Sequence, residues 1–200
     1  MKTLVRELAT SLIATIALAV LVSGIYPVAI WGLSRLFRHK ADGSLVEAQG
    51  KVVGSELIGQ HFSGDPYFTS RPSAAGTGYD AANSGGSNLG PLSQKLIDGV
   101  KDNVAAYRKQ NNLDEKTRVP ADAVLASSSG LDPHISVDNA LLQAPRVARV
   151  RGMSEEIVRH YVEQHTEGRD LGFLGEPRVN VLLLNRALDV HPGSVNRKGP

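Results

Sequence analysis

The sequence predicts an α+β (mixed α/β) single soluble domain carried on one N-terminal transmembrane helix. Three observations lead there. Ser11 to Leu33 (SLIATIALAVLVSGIYPVAIWGL) is a run of 23 residues without a charge. At ~1.5 Å per residue, a helix of that length spans roughly 34 Å, enough for the hydrocarbon layer of a bilayer. Beyond it, apolar residues recur at helical spacing in separate stretches, and short β-branched runs near residues 47–58 and 177–185 supply strands. The order is strand or strands, long loop, helix, short element, two helices, strand, without a repeat.

The apolar run divides the chain into residues 1–10, a cytoplasmic stub; 11–33, the anchor; 34–46, a basic then glycine-containing linker; 47–190, the soluble domain; and 191–200, a flexible tail. A cleaved signal peptide is the rival reading, with Lys2 and Arg6 as its basic start and Ala17-Leu18-Ala19 as a cleavage site. Its apolar core is shorter than the run seen here, which continues to Trp31. Pro27 removes a backbone donor and favours a kink near Ser23 and Gly24. Small and hydroxyl residues let helices approach closely in lipid, so Ser23, Gly24 and Pro27 are candidates for packing on another membrane subunit.

Residues 1–40 hold five of the 22 Lys/Arg and one of the 20 Asp/Glu, leaving 17 basic and 19 acidic residues beyond, net −2. The positive excess lies beside the membrane, where anionic lipid attracts it. The soluble part carries no nucleic-acid signature. Arg35, Arg38 and Lys40 follow the anchor, and the positive-inside rule weakly favours a cytoplasmic C-terminal domain. There is no cysteine, which excludes disulfides and thiolate metal sites.

In the soluble part, Glu47 to Ile58 reads as one or two strands. Gly59 to Pro91 is rich in Gly, Ser, Asn and Pro yet holds Phe62, Tyr67, Phe68 and Tyr79, so it reads as an ordered loop with tucked aromatics. Leu92 to Asn111 is a helix, because Leu92, Leu96, Val100, Val104 and Tyr107 share a face and Ser93 can cap it. Val119 to Ala126 is a short helix begun at Pro120 and broken by Ser127-Ser128-Ser129-Gly130. Ser136 caps a helix from Val137 that Pro145 kinks or interrupts and Gly152 closes. Ser154 caps the next, with Ile157, Val158, Tyr161, Val162 and His165 on one side and Gly168 at its end. Pro177 to Asn185 (PRVNVLLLN) is the strongest strand, with Ala187 to Val190 adding a turn.

Phosphate-loop, dinucleotide and HExxH signatures are all missing. Ser127 to Ser129 with Asp132 and His134 hold the residue types of a hydrolase triad, though without a G-x-S-x-G elbow. A membrane-anchored extracytoplasmic hydrolase is therefore the alternative function. His160 and His165 are spaced off a common face for metal binding. Arg146, Arg149 and Arg151 form a basic stripe, which is usually a solvated helix face.

Several stretches are more specific together than apart. They are Gly24-x-Tyr26-Pro27, GSxLIGQxF (Gly54 to Phe62), YFxxRPS (Tyr67 to Ser73) and SGGSNL (Ser84 to Leu89), followed by VPxxxVxASxSGLDPxIS (Val119 to Ser136), QxPRVAxxR (Gln143 to Arg151) and VNVLxLNxALD (Val179 to Asp189). In this order, over about residues 8 to 190, the chain resembles the C-subunit family of the Kdp-type potassium-transporting P-type ATPases of bacteria.

The resemblance implies a single-span accessory subunit of the bacterial inner membrane without catalytic residues of its own. Its partners would be a channel-like potassium-selecting subunit, a P-type ATPase subunit and a small one-helix subunit. It implies that the globular domain lies on the outer face, against the sense of the charge count. It further implies a catalytic chaperone that raises the ATPase subunit's affinity for ATP, with no cofactor bound tightly. The SxSGL run plus a glutamine, likened to the signature motif of ABC transporters, maps onto Ser127, Ser129, Gly130, Leu131 and Gln143 as a possible ATP contact.

Overall fold

A computed structural model describes residues 2–191. The expected tail at 191–200 therefore lies, apart from His191, outside the described residues. The chain divides into two compact units, residues 1–45 and 46–200.

The first unit is helical well beyond its apolar run. Helix α1 (Lys2–Val20) passes into a π turn (Leu21–Ile25), α2 (Tyr26–Ser34), a 3-10 turn (Arg35–Phe37) and α3 (Arg38–Ala41). Residues 3–10 and the first half of the expected linker are thus helical. The stretch from Thr3 to Ala41 is long and apolar enough to cross a membrane, and an 18-residue window within it reaches a mean hydropathy of 2.3 with no burial inside the chain. Hydroxyls on it bond back to their own helix, as Thr15 Oγ1 does to the Ser11 carbonyl at 2.8 Å, which spares them an unpaired position in lipid. The π turn ends two residues before Pro27, and the Tyr26 N–H reaches the carbonyl of Leu21. Pro27 lacks an N–H, and widening the preceding turn is one way a helix accommodates it. Below it, the Arg35 guanidinium lies 5.0 Å over the Trp31 ring and pairs with Asp42 at 3.6 Å.

The second unit opens on a hairpin of β1 (Leu45–Ala48) and β2 (Lys51–Ser55). Gln49 and Gly50 connect them at φ of 51° and 74°, the paired left-handed conformation that matches strand twist. A long loop then leads to α4 (Gln94–Asn111), whose C-terminus is closed by left-handed Asn112. Leu96, Val100, Val104 and Tyr107 do share its inner side. Leu92, expected on that face, lies before the first turn and is 93% exposed. Ser93 takes the extended cap conformation but makes no side-chain cap bond. The expected helix at 119–126 is a single 3-10 turn, Ala121–Ala123. Its Asp122 carboxylate instead accepts the Ser136 N–H (2.8 Å) and Oγ–H (2.8 Å) and an Asn139 Nδ2–H (2.9 Å), so it braces the start of the next helix.

That helix, α5 (Val137–Arg151), follows β3 (His134–Ser136); Ser136 caps it and Gly152 closes it at φ +68°. Pro145 sits inside without interrupting it. The proline forfeits one backbone bond, but buried residues on both sides of it, among them Ala140, Ala144, Val147 and Ala148, fix the helix against the core. Ser154 accepts the Ile157 N–H at 3.3 Å and opens α6 (Glu155–Gln164), which stops at His165 rather than at Gly168.

The largest departure from expectation is at the C-terminal end. Only Arg178–Asn180 is strand (β5); Val181–Asp189 is helix α7. A short apolar run after a proline suits either element. Asn180 decides it, because its side chain accepts the Leu183 N–H at 3.2 Å and starts the helix. Val181, Leu184 and Leu188 then fall on one buried face. β5 lies between β3 and β4 (Thr166–Glu167), antiparallel to both, with Ile135 opposite Val179 and Thr166 opposite Val179 on the other side. Helices α5, α6 and α7 enclose the core with this small sheet and with Phe68 from the long loop.

Candidate functional site

The long loop is ordered because buried side chains from two helices take the place of a neighbouring strand. Gln143 on α5 is 0% exposed. Its Oε1 accepts the Thr69 N–H (2.8 Å) and Oγ1–H (3.0 Å), and its Nε2 donates to the Thr69 carbonyl (3.1 Å) and to Asn139 Oδ1 (2.9 Å). One turn on, Arg146 is 1% exposed. It donates to the carbonyls of Asp65 and Tyr67, to Asn111 Oδ1 (2.9 Å) and to Gln143 Oε1 (3.0 Å). Burial pulls its pKa below the usual value, while the Asp65 charge opposes the shift. Arg151 continues the row, donating to the Pro66 carbonyl at 2.7 Å, pairing with Asp189 at 2.8 Å and lying 5.1 Å over the Tyr67 ring. Tyr107 from α4 donates to Asn139 Oδ1 at 2.8 Å; burial and nearby Asp122 raise its pKa, so it stays a neutral donor. The stripe read as a solvated face is therefore interior at Arg146 and Arg151, and exposed at Arg149.

A second arrangement lies at the surface. Ser127, Ser129, Leu131 and Asp132 line an open cleft of about 560 Å³ with Leu57 and Arg71. Arg71 donates to Asp132 at 3.0 Å, and Tyr79 donates to the Arg71 carbonyl. Burial works to raise the Asp132 pKa, but hydrogen bonds from His134 and the Arg71 charge outweigh it and hold the carboxyl below its usual range. The floor is sewn to the loop by backbone contacts. Gly130 accepts from Ser73 Oγ at 2.7 Å, and Ser129 accepts from the Gly85 N–H at 2.9 Å. A Cβ on Gly130, at φ +68°, would meet Ala75 N at 2.7 Å and Gly85 O at 2.8 Å.

The expected site residues thus divide. Ser127, Ser129 and Leu131 face the cleft, Gly130 is sealed beneath it, and Gln143 is not part of its wall. The alternative triad is not assembled. Ser127 and Ser129 hydroxyls lie 3.4 Å from each other, while His134 points Nδ1 at Asp132 (3.5 Å) and Nε2 at Glu167 (3.6 Å). A general base needs its free nitrogen on the nucleophile, and here a second carboxylate holds that position. Among the described residues, no group of three or more His, Cys, Asp or Glu is placed to hold a metal ion. In the first unit, Ser23 and Gly24 lie in the π turn and Pro27 in the next, all exposed; a Cβ on Gly24 would meet nothing within 4 Å.

Comparison with known proteins converges on one family. The model of the family described as KdpC, K+-transporting ATPase, c chain, matches residues 8–190. A protein of Koribacter versatilis (strain Ellin345) named potassium-transporting ATPase KdpC subunit is 52% identical over 185 residues, covering 92% of this chain and 94% of its own. Its namesake in Mycobacterium tuberculosis (strain ATCC 25618 / H37Rv) is 53% identical over 185 residues, covering 92% and 98%. Another, from Nitratidesulfovibrio vulgaris (strain DSM 19637 / Miyazaki F), is 51% identical over 195 residues, covering 96% and 97%.

Proposed function

The chain belongs to the KdpC family, the c chains of K+-transporting ATPases, and on that premise we propose that it acts as a non-catalytic accessory subunit that assembles the complex. The N-terminal helix anchors it in the bacterial inner membrane, and the soluble domain stands on the outer face. There it joins the channel-like potassium-selecting subunit and the P-type ATPase subunit, together with a small one-helix subunit. One observation supports the non-catalytic reading: the one candidate base near Ser127 and Ser129, His134, is held between Asp132 and Glu167, and the neighbouring polar groups serve the fold. Gln143 has every polar atom engaged inside the protein, Gly130 is closed over, and His134 sits between two carboxylates. Buried amide networks of this kind rigidify a surface rather than turn over substrate.

The test is removal of the chain from cells that depend on high-affinity potassium uptake. Uptake is lost and restored by the full chain, and the purified chain alone does not hydrolyse ATP. Hydrolysis by the chain alone, abolished in His134→Ala, would restore the hydrolase reading.

The raised ATP affinity implied by the family is the second reading. The open cleft at Ser127, Ser129 and Leu131 favours it; the engagement of Gly130 and Gln143 does not. Photolabelling of the assembled complex with an azido-ATP tests it, adducts on Ser127 to Leu131 being the supporting result.

A further inference from the structure

The helix of the first unit does not continue straight past its apolar run. That run ends at Leu33, and just beyond it Phe37 leaves the helical region, at φ −125° and ψ 52°. The break leads into the single turn α3, which backbone bonds close. The Asp42 N–H donates to the Arg38 carbonyl at 2.8 Å, and the Ser44 N–H to the His39 carbonyl at 2.8 Å. Arg35 spans the break: its guanidinium lies 5.0 Å over the Trp31 ring before it and 3.6 Å from Asp42 after it. The elbow is therefore held from both sides and is not a frayed helix end.

Its surface is of two kinds. Trp31, Leu36 and Phe37 are 61%, 76% and 65% exposed. Beside them Arg38 and Lys40 are exposed, and among the described residues neither pairs with a carboxylate. Arg35, Arg38 and Lys40 stand against one acid, Asp42. Depth favours lipid as the partner of these groups. At ~1.5 Å per residue, Arg35 to Lys40 lie roughly 3–11 Å beyond the end of the apolar run, and the break at Phe37 shortens that reach. The headgroup layer extends about 5–8 Å beyond the hydrocarbon on each side. The covalent path from the anchor thus delivers the bases to the level of the phosphates. Aromatic rings at the hydrocarbon edge, with Lys and Arg reaching into the headgroups, is the order in which a bilayer interface sorts side chains.

We propose that this elbow is a binding site for anionic phospholipid. Arg38 and Lys40 hold headgroup phosphates of the leaflet in which the anchor ends, while Trp31, Leu36 and Phe37 rest on the acyl chains below. Zwitterionic lipid offers a phosphate too, but its own cation competes with the two bases; a net negative headgroup does not have that penalty. The inference rests on the reading of Ser11 to Leu33 as the membrane span.

The chain's single tryptophan is Trp31, so its fluorescence reports on the elbow. The full chain is reconstituted in phosphatidylcholine vesicles, with either brominated phosphatidylglycerol or brominated phosphatidylcholine as quencher at the same mole fraction. Phosphatidylglycerol should quench as though bound at least about tenfold more tightly, since each base at the surface adds roughly fivefold. In the double variant Arg38→Gln, Lys40→Gln the two lipids should become equal while both still quench, which shows that insertion is retained. Equal quenching in wild type, or a preference that survives the double substitution, overturns the inference and leaves the span in place. Absence of quenching by either lipid removes the span and this inference with it. In membranes holding the whole complex, Ala41→Cys, placed in a chain that has no cysteine of its own, is labelled with a benzophenone maleimide and irradiated. The expected adduct is to phospholipid; adducts to protein alone would mean that another chain covers the elbow, and would contradict the proposal.

Discussion

Asn185 and Phe68 exchange the two hydrogen bonds of a β-bridge although neither is in a strand. The Phe68 N–H donates to Asn185 Oδ1 at 2.8 Å, and Asn185 Nδ2 donates to the Phe68 carbonyl at 2.9 Å. Gln143 does the same for Thr69, the next residue. Two side-chain amides, one from α7 and one from α5, thus pair successive residues of the long loop and bring the Phe68 ring into the core at 0% exposure.

Asn185→Leu tests this pairing. It removes both partners of two buried backbone groups and should lower the unfolding free energy by roughly 2–4 kcal/mol. Denaturant unfolding of the detergent-solubilised chain measures it, and hydrogen exchange at the Phe68 amide should accelerate with the same variant. A change below about 0.5 kcal/mol would mean that the loop is held by something else.

Gln143→Ala separates the structural role of Gln143 from a nucleotide role. The structural account predicts a loss of about 2–3 kcal/mol, since Thr69 and Arg146 lose an acceptor in the interior. ATP affinity of the assembled complex should then fall only as the fold does. A variant that melts like wild type but lowers ATP affinity would make Gln143 a nucleotide ligand.

How far the sequence carried can be judged from such residues. The caps at Ser136 and Ser154 were legible because capping depends on residues within one turn. The hairpin at 45–55 was legible in part, its glycine breaks marking the turn. The run Pro177 to Asn185 was not, because its apolar spacing satisfies strand and helix and the Asn180 cap alone decides. The interior bonding of Gln143 and Arg146 was not legible, for another reason. Their partners at Thr69 and Tyr67 lie 74 and 79 residues away, and no periodicity reports a contact at that distance. Aromatics in a polar loop were the only hint that it is packed.

Gly130→Ala should be costly despite its size. The position combines left-handed φ with backbone atoms 2.7 and 2.8 Å from a would-be Cβ, so a loss of about 2–4 kcal/mol is expected. Limited proteolysis should show new cleavage within residues 73–85, the segment Gly130 packs on. Wild-type resistance would contradict the close approach.

Asp132 sets an acid limit on this region. Its folded pKa lies below the unfolded value of about 3.9. Its stabilising contribution is therefore complete above about pH 5 and lost as pH falls through the folded pKa. The Arg71–Asp132 pair is partly exposed, so the contribution is below about 1 kcal/mol after solvent screening. Unfolding measured from pH 6 to pH 3 should show the slope reduced in Asp132→Asn. An identical slope in the variant would place the acid sensitivity elsewhere.

Gly24→Leu addresses the anchor. The residue faces open space in the π turn, so the helix itself tolerates a side chain there. If Ser23, Gly24 and Pro27 pack on a neighbouring membrane helix, assembly weakens while insertion is retained. Native gel electrophoresis of solubilised membranes reads the first, and carbonate extraction the second. Equal assembly would make the helix a tether alone.

As an accessory subunit, this KdpC-family chain would support the ATP hydrolysis that drives potassium transport without performing it. The most direct measurement is potassium-stimulated ATP hydrolysis in material captured through this chain from native membranes, before and after the captured subunits are separated by stronger detergent. An accessory role predicts hydrolysis by the captured complex, none by the separated chain, and recovery when the parts are recombined. Hydrolysis that follows the separated chain, or capture of the chain alone from membranes active in potassium uptake, would contradict it.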